Sequence, residues 1–229
     1  MNHIDAFFNP KGIAVVGVST DPSKPSSAIF ARLIENKRSG DLKVPVYPVN
    51  PKYKKIGGYE VYPSVSEIEG EVDLVITAIP AEFTPSVIED CGRKGVKAVI
   101  VVSGGFAEAG RKDLEDKLVS LARKFGIRIM GPNTIGLLDT YSGVDTLFLP
   151  RKKKLSTGEE LDSLPMPKRG NLTIITQSGA LGEIIMDTLF ESGVGLRALV
   201  GVGNQADLTV EDLLEYFVED EKTKAIALY

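Results

Sequence analysis

The sequence has very few of the residues from which metal sites and nucleophilic sites are most often built. Its 229 residues include one cysteine, one histidine and no tryptophan. Cys91 stands alone, so an intrachain disulfide is excluded, and one cysteine with one histidine cannot supply the usual ligands of a zinc site. His3 lies in the N-terminal tail, which argues against a Ser-His-Asp triad. We therefore predict no metal site and expect Cys91 to have a packing role.

The chain also lacks an excess of positive charge and a long apolar run. Its net charge is −4 and its isoelectric point is about 5.3, which argues against a broad nucleic-acid interface because such domains are usually basic. No stretch approaches the roughly 20 apolar residues of a membrane span, and the N-terminus does not have the pattern of a signal peptide. We expect a soluble cytoplasmic protein with neither nucleic acid nor a membrane as a partner.

Short apolar runs alternate with amphipathic patterns along the first part of the chain. Residues 114–125, for example, carry apolar side chains at helical spacing. Near-continuous apolar runs are typical of strands that are covered on both faces of a parallel sheet. The alternation predicts an α/β fold in which residues 1–148 form a Rossmann-like domain. The five runs are Gly12–Val18, Val44–Val49, Val72–Ile79, Val96–Val102 and Ile127–Met130.

The composition changes after this first domain. Residues 149–170 are polar, basic and proline-bearing, which predicts a solvated inter-domain linker. A second α/β pattern occupies residues 171–229, with apolar runs at 171–176, 196–202 and 224–229. These runs predict a three-stranded, flavodoxin-like second domain that is incomplete, as in a truncated parent protein. Because such a sheet leaves an open edge, we expect a homo- or hetero-oligomer.

Open α/β sheets bind ligands beyond the carboxyl ends of their strands, so the residues after each run are candidates for a site. The first run is followed by a turn in which Lys24 adds charge. Ser26 and Ser27 add hydrogen-bond donors to the free N–H groups of a helix start. Only Gly17 occupies a position of the dinucleotide fingerprint G-x-G-x-x-G. The turn thus predicts phosphate binding without that fingerprint.

The second run ends in Asn50-Pro51-Lys52, where an NAD enzyme usually carries an acidic residue that binds the ribose hydroxyls. Asn50 and Lys52 suit instead a ribose that bears a phosphate, as in CoA or NADP. The alternative interpretation is a capped turn with a surface lysine. Turns that expose the backbone also follow later runs, at 103–105 and at 176–182, where they are either ligand-binding turns or plain strand-to-helix connections.

The motifs together, in chain order, resemble those of the ADP-forming acyl-CoA ligases. The resemblance is strongest to the alpha subunits of archaeal ADP-forming acetyl-CoA synthetases and more distant to the succinyl-CoA ligase alpha subunit. Each motif is weak alone, but the ordered set spans nearly the whole chain. The motifs are Phe8–Ser19, Pro48–Pro51, Val102–Phe106, Gly131–Thr134, Thr176–Gly182 and Gly201–Asn204, followed by Glu219-Asp220 and Ala225–Leu228.

The resemblance implies a site for each domain. The first domain would bind CoA, and the helix start at Ser178, Gly179 and Ala180 would hold the phosphate of a phosphohistidine. The residues that the resemblance and the strand ends assign to CoA are Gly17, Val18, Ser19, Lys24, Ser26, Ser27, Asn50, Pro51, Lys52, Ile79, Pro80, Val102, Ser103, Gly104 and Asn133.

The resemblance also implies a reaction and a partner. Such ligases interconvert acyl-CoA, ADP and phosphate with the free acid, CoA and ATP. The phosphohistidine would lie beyond Tyr229, and ATP, ADP and Mg²⁺ would bind to an ATP-grasp beta subunit or fused domain. The chain alone would therefore be inactive. Two alternatives remain open: a stand-alone CoA-binding regulatory module, and an NADP-binding domain.

Overall fold

The computed structural model describes residues 3–154, 158, 160–162 and 164–229. Its first sheet has five strands, all of them parallel. In chain order these strands are β1 (Ile13–Val16), β2 (Val46–Val49), β5 (Leu74–Thr77), β6 (Ala98–Val101) and β7 (Arg128–Met130), with the hairpin β3 (Lys55–Ile56) and β4 (Tyr59–Glu60) between β2 and β5. The spatial order β2-β1-β5-β6-β7 confirms the predicted Rossmann-like parallel sheet.

Helices cover both faces of this sheet, which is why its strands are apolar along their whole length. Every residue of β1, β5 and β6 is buried. In the helix Lys112–Phe125 the buried residues Leu118 and Ala122 recur at helical spacing. This helix ends before Gly126, whose φ of +69° is a left-handed conformation that glycine adopts readily. The helices of this part of the chain are α1 (Asp5–Phe8), α2 (Pro25–Ser39), α3 (Thr84–Lys94) and α4 (Lys112–Phe125).

The second sheet has four strands, where the sequence predicted three. They are β8 (Leu137–Asp139), β11 (Arg169–Thr176), β12 (Leu196–Gly201) and β13 (Ala225–Leu228), in the spatial order β13-β11-β12-β8. β8 pairs antiparallel with β12 although it lies within the predicted first domain. A run of two leucines is too short to stand out as a strand, so this pairing had no local signal. The predicted domain limits stay predictions, but residues 137–139 belong to the second sheet.

The segment predicted to be a solvated linker, residues 149–170, contains strands. The backbone forms an antiparallel hairpin of β9 (Lys152–Lys154) and β10 (Glu160–Asp162), and β11 already begins at Arg169. Arg151 forms ion pairs with Glu35 of α2 and with the buried Asp145. A strand of three lysines has no apolar alternation, which is why composition indicated a linker. Residues 155–157, 159 and 163 of this segment lie outside the described residues.

A buried ion-pair network fixes β8 and the C-terminal part of the second sheet to one another. Arg197, at the start of β12, has a side chain that is 3% exposed; its Nη1 lies 2.6 Å from Asp139 Oδ1, and its Nε donates to Asp220 Oδ2 at 2.7 Å. Two carboxylates, those of Asp139 and Asp220, therefore balance the charge of this buried guanidinium.

The remaining helices α5 (Gly179–Ser192) and α6 (Val210–Val218) belong to the second sheet. α1 also packs here, because the Phe8 ring stacks on Tyr216 of α6 at a centroid distance of 4.9 Å. β13 forms an exposed edge, as the sequence predicted, while the expected oligomer stays a prediction. Among the described helices, none has both the length and the apolar character that crossing a membrane requires.

Candidate functional site

A cavity of about 750 Å³ opens at the carboxyl ends of β1, β2 and β5. This is the edge at which an open parallel sheet binds its ligand. The predicted residues that line it are Gly17, Asn50, Pro51, Lys52, Ile79 and Pro80. The structure therefore brings residues from three separate strand ends into one site.

The turn after β1 is held in shape by its own serines. Ser26 is buried, and its hydroxyl donates to the carbonyl of Gly17 at 2.7 Å. Ser27 donates to the carbonyl of Ser19 at 3.0 Å and accepts from the N–H of Ser19 at 3.2 Å. Both hydroxyl protons are thus committed inside the fold, and a contact of Ser26 or Ser27 with a ligand stays a prediction. A Cβ on Gly17, whose φ is +96°, would lie 2.7 Å from Ile79 Cγ2, so the turn requires glycine there.

The turn after β2 shows that both interpretations of Asn50 and Lys52 describe part of the structure. Asn50 caps the turn, because its Oδ1 accepts from the N–H of Lys52 at 2.9 Å and its Nδ2 donates to the carbonyl of Val18 at 2.8 Å. Its amide thus joins the turn after β1 to the turn after β2. Lys52 itself is exposed and lines the cavity, with no ion pair to another described residue. It is free to bind an anion at the mouth.

The far wall of the cavity was missed by sequence reasoning. The carboxylate of Asp90 accepts from the N–H groups of Val65 and Ser66, at 2.6 and 3.3 Å, and Arg93 Nη2 lies 3.1 Å from the same carboxylate. This arrangement places a second cation on the rim. Helical spacing puts Asp90 beside Val87 and Arg93 on α3, but the loop at 63–66 has no sequence signal. The wall residues include Pro63, Ser64, Val65, Ser66, Phe83, Ser86, Val87, Asp90 and Arg93.

Other predicted residues lie outside this cavity. Val18, Ser19 and Ser27 line a second cleft of about 470 Å³ between α2 and the β3–β4 hairpin. Lys24 directly precedes α2, is exposed to solvent, and lines neither the cavity nor this cleft. Val102 is buried and its N–H donates to the carbonyl of Thr77 at 3.0 Å. The predicted set is thus spread over more than one surface.

Ser103, Gly104 and Asn133 lie where the ends of the two sheets meet. The N–H of Asn133 donates to the carbonyl of Ser103 at 3.0 Å, and its side chain donates to Asn204 Oδ1 at 3.4 Å. Asn204 follows β12 and also donates to Glu108, in the loop after β6. The loops after β6, β7 and β12 therefore form one connected junction.

The carboxylate of Glu108 is held in its ionised form at this junction. Partial loss of hydration raises the pKa of Glu108, but hydrogen bonds from Asn204 and from the N–H groups of Gly105 and Phe106 outweigh that effect. The net pKa lies below the usual value of a glutamate.

The predicted phosphate-holding helix start lies at the carboxyl end of β11. Ser178 caps α5, and its hydroxyl oxygen accepts from the N–H of Leu181 at 3.3 Å. Gly179 and Ala180 follow in the first turn, where backbone N–H groups have no partner within the helix. The position and the cap suit an anion, and the assignment of a phosphate to it stays a prediction.

Cys91 has the packing role that the sequence predicted. It is fully buried on α3, and burial raises the pKa of its thiol well above the usual range. A thiol in this environment is not a nucleophile at neutral pH.

A comparison with known families identifies two domains in the chain. Residues 11–140 match the model of a family described as CoA binding domain. The chain belongs to this family of CoA-binding domains. Residues 169–229 match a second model, the succinyl-CoA ligase like flavodoxin domain. Both the parallel sheet and the flavodoxin-like character of the second part are thereby confirmed.

Relatives confirm the resemblance to the ADP-forming acyl-CoA ligases. Over 228 residues the CoA-binding chain is 40% identical to the ADP-forming acetate–CoA ligase II subunit alpha of Pyrococcus furiosus, covering 99% of this chain and 46% of the relative. It is 43% identical over 232 residues to the corresponding subunit of ligase I, with 99% of this chain and 46% of the relative covered. The chain thus spans about half the length of these curated relatives.

A solved structure supports the same relationship. The dinucleotide-forming acetyl-coenzyme A synthetase 1 of Ca. Korarchaeum cryptofilum, solved in complex with phosphate and ADP, superimposes with a TM-score of 0.88 and is 37% identical. The match covers 100% of this chain and 46% of that one.

Proposed function

We propose that this chain is the CoA-binding portion of an ADP-forming acyl-CoA ligase, with acetate as the candidate acid. The observation that carries the proposal is the cavity at the carboxyl ends of β1, β2 and β5. Lys52 lies at its mouth and forms no ion pair within the described part of the chain. The family of CoA-binding domains and the alpha subunits among its relatives support the same ligand.

The chemistry of CoA fits the polarity of this site. The adenosine part of CoA has an apolar base and a phosphorylated ribose, so it needs an apolar wall beside a cation. Val16, Val49 and Ile79 provide apolar wall, while Lys52 and Arg93 provide positive charge at the rim. We place the 3′-phosphate near Lys52, because a charge-assisted contact with phosphate is among the strongest hydrogen bonds in proteins.

The whole reaction requires parts that this chain does not supply. In the proposed enzyme, acyl-CoA, ADP and phosphate are interconverted with the free acid, CoA and ATP. We assign the helix start at Ser178, Gly179 and Ala180 to the phosphate of a phosphohistidine, and we assign ATP, ADP and Mg²⁺ to an ATP-grasp partner subunit or domain. The isolated chain is then inactive: acetyl-CoA, ADP and phosphate together should yield no ATP.

Isothermal titration tests the ligand and the role of Lys52. The chain should bind CoA more tightly than 3′-dephospho-CoA or NADP, and Lys52→Ala should weaken CoA binding by about tenfold while leaving 3′-dephospho-CoA binding unchanged. Lys54→Ala is the matched control, because Lys54 is exposed two residues away and does not line the cavity. A preference for NADP, or binding of none of the three, would contradict the proposal.

A further inference from the structure

Asn204, in the loop after β12, connects three loops from both sheets. Its side-chain Nδ2 donates to Glu108 and, at 3.1 Å, to Glu115 Oε2 of α4. Its Oδ1 accepts from Asn133 at 3.4 Å, and its backbone N–H donates to the carbonyl of Pro132 at 2.9 Å. One residue of the second sheet thus contacts the loops after β6 and β7 of the first.

The Asn204 amide has as many N–H hydrogens as it has carboxylate acceptors. The Nδ2 group of an amide carries two hydrogens, and here two carboxylates accept them. Glu115 is 4% exposed, so its charge needs a partner, and Lys112 provides another at 3.0 Å. Without the amide, Glu108 and Glu115 would lose the donor that they share.

The same carboxylate of Glu108 shapes the turn that begins at Ser103. Glu108 accepts hydrogen bonds from the N–H groups of Gly105 and Phe106, and these bonds fix the backbone of the turn. The fit is tight, because a Cβ on Gly104 would lie 2.9 Å from Glu108 Oε1 and 3.2 Å from Asn133 Oδ1. The carboxylate of Glu108 therefore holds the backbone that directly follows Gly104.

We propose that Asn204 is a positioning residue for the CoA-binding turn at Ser103–Gly104, so that the second domain completes the site of the first. This inference rests on the proposed function, because it takes the turn to contact CoA. CoA affinity then depends on Asn204, which lies about 100 positions after the turn and in the other domain, and which acts on the turn through Glu108. Residues of both domains then support the one CoA site.

Titration of CoA into Asn204→Ala tests the inference, with Asn171→Ala as the control. Asn171 is an exposed asparagine in the same sheet whose side chain forms no hydrogen bond within the described part of the chain. We expect Asn204→Ala to weaken CoA binding by about tenfold, in the range of one hydrogen bond to a charged group, and Asn171→Ala to leave it unchanged. Equal CoA affinity in both variants would overturn the inference.

Asn204→Asp separates positioning from a general loss of structure. The new carboxylate would face Glu108 and Glu115, with Lys112 as the cation bound to Glu115. Three ionised carboxylates repel at pH 8, whereas near pH 5.5 a shared proton restores a donor between them. The ratio of the variant's Kd for CoA to the wild-type Kd should therefore fall as the pH is lowered. A ratio that stays the same at both pH values would refute the hydrogen-bond mechanism.

Amide hydrogen exchange gives a readout that does not need CoA. The N–H groups of Gly105 and Phe106 should exchange faster in Asn204→Ala, because their acceptor Glu108 loses its anchor, while amides of the strands keep their protection. Unchanged exchange at both N–H groups would overturn the inference even if CoA binds. If the wild-type chain does not bind CoA, the proposed function fails first, and the positioning role fails with it.

Discussion

Phe83 gives the sharpest prediction about how the cavity recognises its ligand. Its ring is 58% exposed at the rim of the cavity, close to Pro80 and Val87. Full burial of a phenylalanine side chain stabilises a protein by about 1.5–3 kcal/mol. Since more than half of this ring is already in water, Phe83→Ala should cost the folded chain no more than about 1 kcal/mol. An exposed ring on a ligand cavity is instead suited to stacking on a base.

The expected loss in binding free energy is at least as large as the loss in stability. Stacking of a base on an aromatic side chain is worth about 1–3 kcal/mol, so Phe83→Ala should weaken binding by about five- to 150-fold. The assay is isothermal titration with CoA, adenosine 3′,5′-bisphosphate and pantetheine, beside a thermal melt of each variant. Phe190→Ala is the control, because its ring is 54% exposed on α5 and lies outside this cavity.

Adenosine 3′,5′-bisphosphate and pantetheine, the two fragments of CoA, test whether Phe83 contacts the base. Phe83→Ala should reduce the affinity for CoA and for the adenosine bisphosphate by the same factor, and it should leave pantetheine unaffected. If the bisphosphate binds as tightly to Phe83→Ala as to the wild type, the ring does not hold the base. A large drop in melting temperature would instead show that Phe83 stabilises the fold.

Further predictions concern the ion-pair network of the second sheet. Asp139→Ala leaves Arg197 buried without its closest partner, so it should destabilise the chain by about 3 kcal/mol. The midpoint of thermal unfolding should fall accordingly. Asp187→Ala, on the exposed face of α5, is the control and should leave the midpoint unchanged. Burial raises the pKa of Asp220, but hydrogen bonds from Thr223 and Arg197 hold it below the ordinary value of 3.8. A carboxyl group with a lowered folded pKa stabilises above its unfolded pKa, and that stabilisation is lost as the pH falls below about 4. The difference in unfolding free energy between the wild type and Asp220→Asn should therefore shrink from pH 6 to pH 3; a difference that is constant with pH would contradict the assignment.

The sequence predicted those parts of the fold that have a local pattern. The run Gly12–Val18 contains β1, and the run Val96–Val102 contains β6, because strands covered on both faces must be apolar throughout. β8 was missed because its place is set by β12, which lies about 60 residues further along the chain. The β9–β10 hairpin was missed because its strands carry no apolar alternation.

The candidate site also contains residues that could be predicted from the sequence and residues that could not. Residues at strand ends could be named in advance, since the topology of a parallel sheet brings strand ends together. The role of Ser26 could not, because a hydroxyl that closes a turn and one that binds a ligand have the same sequence context. The loop at 63–66 and the Asn204–Glu108 contact exist only after folding, so no spacing in the sequence indicates them.

The pairing of β8 with β12 has a consequence for how this chain folds. The strand that completes the second sheet comes from the segment before the β9–β10 hairpin. Without that segment β12 would keep its pairing with β11 but lose its other neighbour along Ala198–Val200. Arg197 would at the same time lose Asp139. One apolar core also joins side chains of both sheets, such as Leu74 of β5 and Val200 of β12, so we expect the two sheets to melt in a single cooperative transition. Most of the contacts that define this transition join distant parts of the chain, which predicts slow folding.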